Sequence, residues 1–277
     1  MAMQEQAIAW RHSGDDIGLV PTMGALHAGH DSLVNRAHRE NQRVVVSIFV
    51  NPKQFGPHDD FEKYPRPFEQ DRARLQALDV DAIFHPPIDQ IYPAAFKTRV
   101  GPGPLGEVLE GKSRPGHFGG VLTVVLKLLN LTQPKRAYFG QKDFQQVVLV
   151  RQLVRDLALP VRIVVVPTVR EPDGLAMSSR NAYLDPAQRR LAPVVRQALT
   201  EAAQAFTAGE TDPAELERLA TDRLAGAPGV AIDYVAVVDE TTLSRPQQAS
   251  PGSVLAVAVK LGSTRLIDNV VLGAERL

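Results

Sequence analysis

The chain contains no cysteine. That excludes disulfides and thiol catalysis, removes the soft ligands of a sulfur-rich metal site, and fits a reducing compartment. Charge of one sign is also lacking: 31 Lys and Arg stand against 31 Asp and Glu, so the formal net charge is zero. A nucleic-acid binder more often carries a basic excess or stripe, and no long basic run is present. Long hydrophobic runs are missing as well. The longest, residues 121–131, is interrupted by Thr123, Lys127 and Asn130 and is too short to cross a bilayer. The first ten residues lack a basic segment followed by an apolar core, so no signal peptide is expected there. There is no internal repeat and no low-complexity tract. What remains is an ordinary globular composition, 44 % hydrophobic and 22 % charged, over 277 residues, enough for a sizeable core and two domains. The expectation is a soluble cytoplasmic protein that binds neither nucleic acid nor membrane.

Through the first two thirds, strand-like and helix-like segments alternate. Strands are expected at residues 17–20, 43–50, 82–85, 136–139 and 161–166, most of them continuous apolar runs, as in a parallel sheet buried on both faces. Helices are expected at 30–39, 68–78, 118–131 and 143–157. In the last of these, Val147, Leu149, Val150, Leu153, Val154 and Leu157 lie close to helical periodicity. The alternation predicts an α/β fold, a doubly wound parallel sheet with right-handed crossovers. Ligands of such sheets sit beyond the carboxyl ends of the strands. After the turn sequence Glu171-Pro172-Asp173-Gly174 the texture changes. Residues 186–206 and 213–224 read as helices, and 230–238, 254–261 and 266–272 as strands, the last two joined by a hairpin turn at 261–264. We therefore expect a catalytic domain over residues 1–174 and a smaller α+β lid domain over 175–277.

The most telling segment is Pro21-Thr22-Met23-Gly24-Ala25-Leu26-His27-Ala28-Gly29-His30. An apolar strand precedes it and an amphipathic run follows, so the pattern is strand, glycine-containing turn, helix. Three apart at a helix start, His27 and His30 share a face of the first turn. A helix N-terminus presents N–H groups and partial positive charge, Gly29 permits close approach, and imidazoles add hydrogen bonds to phosphate oxygens. The segment reads as a nucleotide phosphate cradle. Two other readings stay open on the residues alone. One is an N-capping His27 beside a surface His30. The other is a zinc pair, although helical zinc histidines more often sit four apart.

Other segments place polar groups at strand exits. Asn51 and Gln54, in Asn51-Pro52-Lys53-Gln54, carry amides suited to a small polar substrate; a proline-terminated strand with turn polars is the plainer reading. The basic, glycine-rich run from Gly111 to Gly120 resembles a phosphate loop in chemistry without matching G-x-x-x-x-G-K-[ST], and equally reads as a surface loop. In Phe139-Gly140-Gln141-Lys142-Asp143, strand, glycine and helix recur. Lys142 stands at the helix opening and Asp143 can cap it. Met177-Ser178-Ser179-Arg180-Asn181 offers two hydroxyls and a guanidinium for phosphate oxygens, or a helix-capping surface segment.

Taken in order, these segments make the chain closely resemble the pantoate–β-alanine ligases (pantothenate synthetases) of the class I aminoacyl-tRNA-synthetase-like nucleotidyltransferase superfamily. The matching stretches are PTMGALHAGH, SIFVNPKQFG, Tyr64-Pro65-Arg66, GHFGGVLTVVLKLLN, YFGQKDFQQ and VPTVREPDGLAMSSRNAYL. The histidine segment corresponds to the superfamily's HIGH signature, and MSSRN occupies the place of its KMSKS signature.

The resemblance implies a Rossmann-like sheet and ATP-dependent condensation of pantoate with β-alanine. The products are pantothenate, AMP and pyrophosphate, formed through a pantoyl-adenylate, with Mg²⁺ and usually in a homodimer. It implies a catalytic set of His27, His30, Lys142, Ser178, Ser179 and Arg180, in which the histidines contact ATP phosphates and the others neutralise them. Met23, Gly29, Gly140, Asp143, Val169 and Met177 line the ATP site with them. Gln54 and Gln146 hold pantoate, and Arg114 lies near β-alanine or a phosphate. Asp71 matches one position of a Mg²⁺-related acidic cluster. Its neighbours here are Gln70 and Arg74, so Mg²⁺ is expected to arrive on ATP, held mainly by phosphates and water. A carboxylate attacking a polyanion needs charge neutralisation and in-line positioning more than covalent catalysis, which agrees with this residue set. The rival reading is a nucleotidyltransferase of the same superfamily that moves AMP to another acceptor and retains it in the product.

Overall fold

Val44, Val45 and Val46 are consecutive and fully buried. Successive residues of a strand point to opposite faces, so such a run needs a cover on both. The computed structural model, which describes residues 2–57 and 59–274, supplies it. Among these residues two compact units form, one of the residues up to 141 with 146–167, the other of 142–145 with the residues from 168 onward.

In the first unit, β1 (Ile17–Thr22), β2 (Arg43–Ile48), β3 (Ala82–Phe84), β4 (Arg136–Gly140) and β5 (Arg162–Val166) make an all-parallel sheet in the order β3-β2-β1-β4-β5. The order turns between β1 and β4, the switch point where ligands of such sheets bind. The helices are α1 (Ala2–His12), α2 (Ala28–Glu40), α3 (Phe68–Ala77), the short α4 (Ile88–Ile91) and α5 (Glu110–Ser113), α6 (His117–Thr132) and α7 (Phe144–Asp156). One face of the sheet, with Leu19, Val45 and Phe139, is covered by α1, α6 and α7 through Ala7, Val121, Val125, Leu149 and Leu153. The other, with Val20, Val44, Val46 and Tyr138, is covered by α2 and α3 through Leu33, Val34, Ala37 and Leu75. This is the doubly wound α/β sheet expected from the run pattern. Helix α1 has no counterpart in the sequence pattern; it buries only Met3 and Ala7, too faint an apolar stripe to read by period.

In the second unit, β6 (Val230–Val238), β7 (Val254–Leu261) and β8 (Thr264–Val271) form an antiparallel sheet in that order, with Leu261 opposite Thr264 across a tight turn. The helices α8 (Pro186–Leu191), α9 (Val194–Thr207) and α10 (Pro213–Ala225) accompany it. Leu199, Leu216 and Leu224 pack with Leu255, Val257 and Val259 in its core. The helical stretch expected over 186–206 is two helices, because Pro193 has no N–H to continue the ladder and stands at the N-cap position of α9. No helix of the described residues is long and apolar enough to cross a membrane.

Candidate active site

The chain leaves β1 through a left-handed turn, with φ +83° at Gly24 and 51° at Ala25. A Cβ on Gly24 would stand 2.9 Å from Asp71 Oδ2, so glycine is needed there for space as well as conformation. Thr22 Oγ1 donates to Ser47 O at 2.7 Å and accepts from Gly24 N–H at 3.2 Å. Asp71, buried on α3, accepts from the N–H groups of Ala25 and Leu26, each at 2.8 Å. Helix α2 then opens on His27, its extended N-cap. His27 Nδ1 accepts from Gly29 N–H at 3.1 Å, and His30 Nδ1 accepts from His27 N–H at 3.2 Å. This is a reciprocal capping box with two imidazoles in place of the usual hydroxyl and carboxylate. The ring centroids lie 4.2 Å apart.

Two consequences follow for chemistry. An accepting Nδ1 carries no proton, so both rings hold theirs on Nε2. Capping therefore engages Nδ1 of each ring and puts the ring proton on Nε2. The N–H groups of Gly29, His30 and Asp31 are all bonded to His27, the last two to its carbonyl at 2.8 and 3.2 Å. The bare backbone amides expected at this helix start are thus engaged within the turn at these three positions.

Beyond β2, Pro52–Gln54 form a 3₁₀ turn. Asn51, 1 % exposed, ties it down. Its Nδ2 donates to Gln54 Oε1 at 3.1 Å and Gly120 O at 3.0 Å, and its Oδ1 accepts from the Tyr92 hydroxyl at 2.8 Å. Gln54 Nε2 reaches Met23 Sδ at 3.0 Å, bringing those two site candidates together. Arg114 lies beside the same turn. Its Nη2 donates to Asp59 Oδ2 at 2.7 Å and its Nη1 to His117 Nε2 at 3.2 Å, while His117 Nδ1 donates to Gln54 O at 2.8 Å. This chain of bonds requires a neutral His117 with its proton on Nδ1. Burial, reinforced by the Arg114 charge, pushes its pKa down to about 4. Burial raises the Asp59 carboxyl, but hydrogen bonds from Arg114 and Gly56 N–H outweigh it and hold it below the usual range. Neither Asp59 nor His117 was a candidate from sequence. Gly140 closes β4, and Gln146 is half-buried in the first turn of α7.

In the second unit, Lys142 and Asp143 lie in a 3₁₀ turn, with Lys142 Nζ 3.9 Å from the exposed Asp143 carboxylate. Asn269 Nδ2 holds Lys142 O at 3.1 Å. Val169 and Met177 meet through Met177 N–H and Val169 O at 3.0 Å, at the base of a hairpin turned by Pro172-Asp173-Gly174. Arg170, paired with the buried Asp268 at 2.6 and 3.1 Å, fastens that hairpin. Ser178 caps the 3₁₀ turn Ser179–Tyr183, its Oγ accepting from Arg180 N–H at 3.3 Å, and Asn181 Nδ2 donates to Ala176 O at 3.1 Å. Ser178, Ser179 and Arg180 are half-buried on this one turn.

A protein-built metal site does not fit these residues. Both oxygens of Asp71 are engaged by the turn after β1, and among the described residues no three His, Asp or Glu side chains gather as a ligand set.

The family pattern described as pantoate-beta-alanine ligase matches residues 1–271. Pantothenate synthetase of Moorella thermoacetica is 50 % identical over 271 residues, covering 98 % of this chain and 96 % of that one. Its counterpart in Chloroflexus aggregans is 52 % identical over 263 residues, 95 % of each. Among solved structures, pantothenate synthetase from Thermus thermophilus superposes with a TM-score of 0.91 at 48 % identity, over 96 % of this chain and 97 % of that one. Pantoate-beta-alanine ligase from Francisella tularensis, complexed with beta-gamma ATP and beta-alanine, gives 0.80 at 39 % identity, over 98 % and 96 %. With the HIGH-type turn at the switch point, the amide turn beside it and a match that runs nearly end to end, the chain belongs to the pantoate–β-alanine ligase family.

Proposed function

We propose that this protein condenses pantoate with β-alanine at the expense of ATP, yielding pantothenate, AMP and pyrophosphate through a pantoyl-adenylate. The observation that carries the reading is family membership over nearly the whole chain, with a Francisella relative that binds an ATP species and β-alanine. The local geometry supports it at two places. His27 and His30 hold Nε2 protons for phosphate oxygens, and the Gln54 amide sits against Met23 for a small hydroxy acid.

In the first step a pantoate carboxylate oxygen attacks the α-phosphorus, and the bond to pyrophosphate breaks. Charge builds on the phosphate oxygens, and His27, His30, Lys142, Ser178, Ser179 and Arg180 offset it with preorganised donors. Gly29, Gly140, Asp143, Val169 and Met177 complete the ATP site. Gln54 and Gln146 orient pantoate so that attack is in line. In the second step the β-alanine amine attacks the acyl carbon, AMP departs, and the amine proton is lost. AMP is a good leaving group, so the step requires no protein nucleophile. Arg114 lies near the β-alanine or phosphate region. Mg²⁺ brought in on ATP would supply further charge neutralisation, with no ligand set from the described residues of this chain. A homodimer and a cytoplasmic location belong to the same reading.

Exchange of label between pyrophosphate and ATP tests it. The reading requires exchange that depends on pantoate and proceeds without β-alanine; exchange supported by a different acceptor alone would move the protein to the AMP-transferring relatives.

A further inference from the structure

Helix α3 contacts the HIGH-type segment on both sides of the histidines. In front of them, Asp71, 3 % exposed, spends one oxygen on Ala25 N–H and the other on Leu26 N–H, each at 2.8 Å. Behind them, Arg74 pairs in a bidentate manner with Asp31, Nε to Oδ1 at 2.7 Å and Nη2 to Oδ2 at 2.6 Å. Asp31 directly follows His30, and Asp71 and Arg74 lie three apart on one face of α3. The segment between these anchors includes a residue that disfavours its own conformation, since Ala25 has φ 51° without being glycine.

We propose that Asp71 and Arg74 are positioning residues, which hold the turn after β1 so that the Nε2 protons of His27 and His30 face the triphosphate. The inference rests on the ligase reading for what those protons contact. It assigns Asp71 to the backbone of the turn, not to a divalent cation. A carboxylate that accepts two successive N–H groups at the start of a helix fixes the path of the chain as well as its charge. The bidentate Arg74–Asp31 pair fixes the first turn of α2 relative to the same helix. Together they set the two ends of a six-residue stretch, Ala25 to His30, from one rigid element.

The test compares wild type with Asp71→Asn, Arg74→Ala and, as a control on the exposed side of α3, Arg72→Ala. An asparagine amide turned to replace both oxygens sets an N–H donor against a backbone N–H donor. Asp71→Asn should cut kcat for pantoate-dependent pyrophosphate–ATP exchange by about 10- to 100-fold, the scale of an ångström-sized misplacement. Its Michaelis constant for pantoate should stay close to wild type. The loss should persist when Mg²⁺ is raised well above saturation. In nitrogen-detected NMR of the imidazoles, the His27 and His30 signals should shift, because the Nδ1 caps loosen. Arg74→Ala, which leaves the Asp71 bonds in place, should show a smaller loss with the same two histidines shifting, and it carries the test if Asp71→Asn does not fold. Arg72→Ala should match wild type.

Recovery of the Asp71→Asn rate at high Mg²⁺ would overturn the proposal in favour of a cation ligand. So would unaltered histidine signals in both Asp71→Asn and Arg74→Ala. If wild type itself showed no pantoate-dependent exchange, the ligase reading would fall, while the histidine signals would still report on the brace.

Discussion

At the residue scale, each histidine of the HIGH-type turn caps through Nδ1 and is proposed to meet phosphate through Nε2, and substitution separates the two. His27→Ala loses both the cap and the donor. It should cost about 1 kcal/mol of stability, the usual worth of an N-cap, and orders of magnitude in exchange rate. His27→Asn restores a capping acceptor without an Nε2–H. Its melting temperature should return near wild type while exchange stays down by about 100-fold or more; recovery of both would show that the ring acts only as a cap. His117 gives a pH prediction. Its native pKa of about 4 lies below the ordinary 6.5, so the unfolded chain binds a proton that the folded one refuses. Stability from this site is complete above pH 6.5 and is lost as pH falls toward 4, by up to about 3 kcal/mol. Urea unfolding at pH 7 and pH 4.5 should therefore show a steeper acid loss in wild type than in His117→Gln. The His27–His30 pair was legible because its neighbours in space are its neighbours in sequence. The contacts of Asp71 and Arg74 were not: the sequence offers Asp71 only as a position of a Mg²⁺-related cluster, their partners lie more than forty residues away, and no local pattern announces a carboxylate that serves a distant backbone.

At the element scale, the five strands and four main helices of the parallel sheet were legible from apolar runs and helical periodicity, with ends shifted by a few residues. The break at Pro193 was also present in the sequence, and the residues that follow it are helical enough to mask it. Helix packing against loops was not legible. Gly120 sits in an apolar stretch of α6 where glycine would ordinarily weaken a helix. The structure explains it: a Cβ there would meet Lys53 O at 2.1 Å and Gln54 N at 2.6 Å. Gly120→Ala should push α6 off the Asn51–Gln54 turn, lowering stability by about 1–3 kcal/mol, as overpacking does. Because Gln54 moves with that turn, the Michaelis constant for pantoate should rise more than that for ATP. A thermal melt with initial-rate kinetics checks both, and a normal melt with normal kinetics would show that α6 moves aside without consequence.

At the scale of the whole molecule, balanced charge and the absence of cysteine narrowed the function classes before any motif was read. The order of motifs along the chain, rather than any one of them, then pointed to the family. Singly, the histidine pair, the amide turn and the Ser-Ser-Arg turn each admitted a plain structural reading, and each plain reading holds in part: His27 caps, Asn51 ties a turn, Ser178 caps. These structural duties and the proposed binding roles fall on the same short segments. The most direct test mixes the purified protein with ATP, Mg²⁺ and pantoate, with and without β-alanine, and follows AMP and products by mass. The account predicts pantothenate with equimolar AMP only when all components are present. AMP retained within a product, or no AMP in any combination despite ATP binding, would contradict it.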